Sequence, residues 1–209
     1  MSDLQCPATL IVARHAQATY DNPGIASDDG GWLTDLGRTQ AAGLATRLSH
    51  RRIAAIWCSD LSRSVQTAEI VSAGLGGLGV RVRKGLREAS IGGFAGQPNP
   101  EHVFDGVYLR WLDGDLAASA PDAENGSDVL HRVSSEMEAA ADLFRGETVL
   151  LVSHGGAIGL TVPRLAGNVP PDYSRNRPLE NCGTCELVAD GDSWSLRSWN
   201  GEPLSNAAP

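Results

Sequence analysis

Two histidines follow short apolar runs in the same way: His15 comes after residues 8–13, and His154 after residues 148–152. A neutral imidazole in either place can attack phosphorus and form a covalent intermediate, which water or a second acceptor then discharges. Arg14 sits beside His15, and Arg63 lies in the first turn after another apolar run, 53–57. A guanidinium grips a phosphoryl group through parallel N–H···O bonds. Gly155 and Gly156 follow His154 and open a helical segment, where free N–H groups favour an anion. Glu88, in Leu86-Arg87-Glu88, is the best-placed carboxylic acid to protonate a leaving alkoxide, provided its surroundings favour the neutral form. Such a set can transfer a phosphoryl group without a metal or other cofactor, because positioning and charge stabilisation supply most of the catalysis.

These groups meet only if the intervening elements bring them together. Residues 8–13, 53–57 and 148–152 read as buried strands, and 80–82 as a shorter one. Thr34 is a plausible N-cap for a helix with apolar positions at Leu36, Leu44 and Leu48, and residues 61–73 read as a second helix. Val129, Val133, Met137, Ala140 and Phe144 mark one face of a long helix. Pro163 should bend or end the helix that follows His154. Residues 184–189 and 194–199 read as a hairpin. The resulting expectation is an α/β fold: a three-layer α/β/α sandwich with a mostly parallel central sheet, one antiparallel edge strand and a small lid insertion. In an open α/β sheet, ligands bind beyond the carboxyl ends of the strands, so both histidines and both arginines can face one crevice.

Length and composition set the remaining bounds. The 209 residues fit one domain, with a weakly patterned lid at about 97–127 and a tail at about 200–209 that has little to bury. A net charge of −8 argues against a nucleic-acid partner, and no run is apolar for long enough to cross a bilayer. Residues 1–7 lack a basic segment followed by an apolar one, so a secretory signal is not expected and the cytoplasm is the default compartment. Cys182 and Cys185 have C-x-x-C spacing, but no second pair or nearby histidine completes a zinc site; two small residues entering a strand is the simpler reading. His50, His102 and His131 fall in no motif and read as surface or lid residues, and Tyr108 and Trp111 read as lid packing.

The chain resembles the histidine phosphatase superfamily, the phosphoglycerate-mutase-like group, in six blocks that occur in family order. Arg14-His15-Ala16 is similar to the Arg-His-Gly signature, and Leu33-Thr34-Asp35-Leu36-Gly37-Arg38-Thr39-Gln40-Ala41 to the Leu-Thr-x-x-Gly-x-x-Gln-Ala block. The segment from Ser59 to Ala68 resembles the one that supplies the second phosphate arginine. Leu86-Arg87-Glu88, with Gly92-Gly93-Phe94-Ala95-Gly96 after it, resembles the block holding the acid. Residues 124–133 resemble the start of the long helix, and Ser153-His154-Gly155-Gly156 the second histidine. The resemblance implies His15 as nucleophile, phosphate contacts from Arg14, Arg63 and His154, and Glu88 as proton donor.

Three departures stand close to His15. Ala16 replaces the usual glycine where the backbone approaches phosphate, and Ala18 replaces a Thr or Ser. Asp21 falls where an asparagine is common; Asn22, one residue later, could bind phosphate if the loop is shifted. Three activities remain open: a phosphatase acting on small phosphorylated metabolites, a cofactor-dependent phosphoglycerate mutase, and a phospho-ligand-binding protein without turnover. The lid offers Arg110 and His102 against Glu101, Asp105, Asp113, Asp115, Asp122 and Glu124, an acidic balance that favours the phosphatase. Arg175 and Arg177 could bind a second anionic group or lie in a solvated loop. The substrate and the oligomeric state, a homodimer included, are left open.

Overall fold

Alternation along three strands divides the core in two. In β1 (Ala8–Arg14), Leu10 and Val12 join one hydrophobic cluster while Ile11 and Ala13 join the other. In β6 (Thr148–Ser153), Val149 and Leu151 part from Leu150 and Val152 in the same way. Successive side chains of a strand point to opposite faces, so an unbroken apolar run needs cover on both sides. β4 (Ile53–Cys58) follows this rule after a register shift between Ile53 and Ala55.

The computed structural model describes residues 6–22, 24–98 and 104–204. Its main sheet has the order β5-β4-β6-β1-β7-β8-β9, where β5 is Val80–Val82, β7 Thr184–Asp190, β8 Ser193–Trp199 and β9 Glu202–Pro203. β5, β4, β6 and β1 are parallel. Helices α1 (Asp35–Leu48) and α2 (Ser62–Gly74) cover one face. Helices α4 (Gly126–Leu143) and α5 (Gly155–Leu165) cover the other, with the shorter α3 (Asp105–Leu112) beside α5. This is the expected three-layer α/β/α arrangement.

Local chemistry sets the helix ends. Thr34 Oγ1 accepts the Gly37 N–H and caps α1. Asn125 and Asp128 form a reciprocal capping box at the start of α4. The buried stripe of α4 is Val129, Val133, Met137 and Ala140, as its spacing requires, and Trp111 is fully buried with its Nε1–H on Ala118 O.

Several details differ from expectation. The antiparallel part of the sheet is wider than a single edge strand: β7 pairs with β1, β8 with β7, and β9 closes the edge. Residues 200–204 therefore belong to the fold, with Asn200 receiving the Glu180 N–H and donating to Pro178 O. The rest of the proposed tail, 205–209, lies outside the described residues, as does His102. Leu36 is exposed; Ala41 and Ala45 join Leu44 and Leu48 on the buried face of α1. α5 continues past Pro163. Pro163 has no N–H for Gly159 O, and Ser174 Oγ–H supplies the missing donor at 2.8 Å. A two-stranded ribbon of β2 (Ala18–Thr19) and β3 (Trp32–Leu33) was not legible, because each strand has only two residues.

Candidate active site

The carboxyl ends of β1, β4 and β6 are tied together by backbone bonds. His15 N–H donates to Ser153 O, and Ser59 N–H to Val152 O. Beyond this edge opens a cavity of about 550 Å³, whose floor carries Arg14, His15, Arg63, Glu88 and Gly155. That volume suits a small-molecule ligand.

Hydrogen bonds fix the tautomer of His15. Its Nδ1 lies 2.7 Å from Ala16 O, which can only accept, so Nδ1 carries the proton. Its Nε2 receives the Arg63 Nε–H at 3.2 Å and therefore presents a lone pair. Burial, then the charge of Arg63 and more weakly that of Arg14, pull His15 down to about 3, against the opposing bond to Ala16. The imidazole is thus neutral and basic only at Nε2, as a nucleophile towards phosphorus requires. Asn181 Nδ2–H donates to His15 O at 2.9 Å and holds the backbone of the same residue.

Arg63 enters from the first turn of α2, with Nη1–H on Gly30 O and its guanidinium over the Tyr20 ring. Arg14 donates Nη1–H to Leu179 O, while its buried Nε has no partner among the described residues. A buried donor without a partner is costly, and an anion in the cavity would satisfy it. Gly155 lies against that Nε: a Cβ on Gly155 would come within 3.4 Å of it.

His154 is fully buried behind the cavity wall, its ring centroid 5.1 Å from that of His15. Ser59 Oγ lies 2.7 Å from His154 Nε2 and accepts a long bond from Leu61 N–H. A serine hydroxyl has one proton and two lone pairs, so Ser59 can pair with Nε2 in either tautomer of His154. His154 Nδ1 is buried and has no partner among the described residues, a second orphaned polar atom in the site. Burial lowers the pKa of His154 well below its ordinary value, and His15, Arg63, Arg132 and Arg14 act in the same direction.

Glu88 changes the expectation for the helix N-terminus. Its carboxyl group accepts the Gly156 N–H at 2.9 Å and the Ala157 N–H at 2.8 Å, so these groups of α5 are taken up by a side chain of the protein. Glu88 lines the same cavity as His15.

Asn22 does not join the group; it is exposed and is not among the residues that line the cavity. Asp21 is exposed as well, whereas Ala18 lines the wall. The methyl group of Ala16 points away from the cavity into the core beneath α1 and α2, so the glycine replacement does not crowd it. Sequence reasoning missed Gln17, whose Oε1 accepts from Thr34 Oγ1–H and whose N–H donates to Gln40 Oε1. It also missed Asn181, which no motif marks. Two glutamines inside the family-like blocks, Gln40 and Gln66, brace the loop after His15: Gln40 Oε1 accepts the Gln17 N–H and Gln66 Oε1 the Leu33 N–H.

The outer wall is aromatic and acidic. Tyr20, Phe104, Tyr108 and Trp199 line it with Asp28, Asp105 and Arg175. Arg175 is paired with Asp113 and Asp172. Arg177 is exposed and lies over the Tyr173 ring. Cys182 and Cys185 are free, buried thiols; burial pushes Cys182 up to about 11 and raises Cys185 well above the ordinary thiol range.

Comparison with known proteins places this geometry. The chain is 28% identical over 204 residues to a probable phosphoglycerate mutase GpmB from Yersinia enterocolitica, covering 95% of this chain and 93% of the relative. It is 27% identical over 197 residues to phosphoglycerate mutase-like protein 4 from Arabidopsis thaliana, covering 92% and 84%. A mycobacterial glucosyl-3-phosphoglycerate phosphatase superposes with a TM-score of 0.74 at 28% identity, over 93% of this chain and 99% of that one. The model of the histidine phosphatase superfamily (branch 1) matches residues 10–202, and the chain belongs to that family.

Proposed function

We propose that this chain is a phosphatase that hydrolyses phosphate monoesters of small metabolites through a phosphohistidine on His15. The observation that carries this reading is the state of His15: neutral, with its proton on Nδ1 and its Nε2 lone pair beside Arg63. In the first step Nε2 attacks phosphorus and the bond to the ester oxygen breaks. Glu88, in its acid form, gives that oxygen a proton as it leaves. In the second step water attacks the phosphorus, Glu88 takes its proton, and the P–N bond returns its electrons to Nε2. Arg14 Nε and Arg63 supply donors for the phosphoryl oxygens, where charge is spread in the transition state, and the buried His154 ring backs His15 from 5.1 Å.

Water is favoured as acceptor by the charge of the outer wall. A mutase has to hold a second anionic group there, yet Arg175 is already paired with two carboxylates, and Asp28 and Asp105 line the same wall. The 28% identical glucosyl-3-phosphoglycerate phosphatase supports the same choice. The mutase reading rests on the names of the curated relatives. Phosphate release from a panel of phosphorylated metabolites, with His15→Ala as control, tests the proposal. Turnover by the wild type alone supports it. No release above the control on any ester overturns it, and primed interconversion of 2- and 3-phosphoglycerate would favour the mutase.

A further inference from the structure

The segment that carries Glu88 belongs to no sheet, and side chains from elsewhere hold its backbone. Arg132 of α4 donates Nη1–H to Gly85 O (2.8 Å) and Arg87 O (2.7 Å), and Nη2–H to Glu88 O (3.0 Å). Its Nε–H and second Nη2–H go to Glu124 Oε2 (2.8 Å) and Oε1 (2.6 Å). A guanidinium has five N–H donors, and all five are engaged. Leu86 O, between these carbonyls, accepts Ser153 Oγ–H at 2.7 Å from the residue just before His154. Carbonyls 85 to 88 are therefore each fixed by a side chain. Glu124 also accepts the Ser90 N–H at 3.0 Å, so the pair grips the chain on both sides of Glu88.

Arg132 and Glu124 do not line the cavity and touch none of its phosphate donors. Burial opposes the charge of Glu124, but the bonds from Arg132 and Ser90 hold its carboxyl below the ordinary range. The pair is an ionised clasp 21–22% exposed at its side chains. Lysine could not replace it, because one ammonium cannot reach three carbonyls and a carboxylate from a single point.

We infer that Arg132, clamped by Glu124, is a positioning residue for the proton donor, acting through the backbone of residues 85–88. The inference rests on the reading of Glu88 as the acid. Misplacing a reacting group by about 1 Å costs on the order of 100-fold, within the roughly 10²–10⁴-fold that a general acid contributes. In kcat/KM, which reports the phosphorylation step, the loss should appear only where the leaving oxygen needs a proton.

The test combines Arg132→Met with Glu124→Gln, so that neither charge is left unpaired. On an unactivated ester such as glycerol 3-phosphate, kcat/KM should fall about 100-fold. On 2,4-dinitrophenyl phosphate, whose leaving phenolate needs no proton, the loss should be at least about tenfold smaller. Glu88→Gln should show the same asymmetry, and combining all three substitutions should cost little beyond Glu88→Gln alone. Equal losses on the two esters, or none on either, would overturn the inference. Amide hydrogen exchange across residues 84–90 provides a readout independent of turnover. It should quicken by about tenfold or more in the double variant, while vanadate affinity stays within about threefold. Unchanged exchange would also overturn the inference, whereas a wild type inactive on both esters would sink the proposed function instead.

Discussion

Arg63 Nε and His15 Nε2 lie 3.2 Å apart, the guanidinium N–H aimed at the imidazole lone pair. This contact keeps a cation on the atom that would otherwise take a proton. It also places a phosphate-binding group where an incoming phosphoryl must approach. The buried arginine thus serves the nucleophile before the reaction and the transferring group during it.

Stability should carry the mark of these neutral histidines. The folded-state pKa of His15 is about 3, below its ordinary 6.5, and that of His154 is also lowered. Between those values the unfolded chain binds more protons than the folded one. Stability therefore rises with pH through this window and is lost on acidification; above about 6.5 the contribution is constant. Each histidine adds a slope of up to about 1.4 kcal/mol per pH unit. Urea unfolding between pH 7 and 5 should show His15→Asn with a flatter dependence than the wild type. Identical slopes would refute the burial of a neutral imidazole.

Ser59→Ala should weaken both fold and turnover. The variant leaves a fully buried His154 Nε2 without its 2.7 Å partner, which costs about 1–3 kcal/mol. It also frees the His154 ring that packs 5.1 Å from the His15 ring. A drop in kcat of about tenfold is expected, with Ser59→Thr restoring most of it. A variant as stable and active as the wild type would exclude this role for Ser59.

Much of the scaffold was legible because it follows period 2 or helical spacing: β1, β4, β6, the buried stripe of α4 and the Thr34 cap. The site was legible where strand ends carry its residues, since topology alone sends His15, His154 and Arg63 to one edge. What failed depended on partners distant in sequence. The course of α5 past Pro163 relies on Ser174, and the N-terminus of α5 is filled by Glu88, 68 residues earlier than Gly156. The direction of the Ala16 methyl group and the exposure of Asn22 are set by loop conformation, which spacing does not encode.

Gly156→Ala should separate the acid from the nucleophile. A Cβ at this position would come within 2.8 Å of Glu88 Oε1, too close without displacing the carboxylate. Hydrolysis of an alkyl phosphate should fall by about 10²-fold, while His15 still becomes phosphorylated by an activated aryl phosphate. The kcat/KM values on the two esters, which report phosphorylation of His15, decide this; equal values for variant and wild type on the alkyl ester would remove Glu88 from the role of acid.

The covalent intermediate is the central claim, and it can be trapped. Wild-type protein mixed with an activated phosphate ester, quenched rapidly and digested under alkaline conditions that preserve phosphohistidine, should yield one phosphoryl group on the peptide containing His15. The Ser59→Ala variant should give the same adduct, and His15→Ala none. A wild type that turns over the ester without phosphorylating His15, or with the phosphoryl group on another residue, would contradict the account.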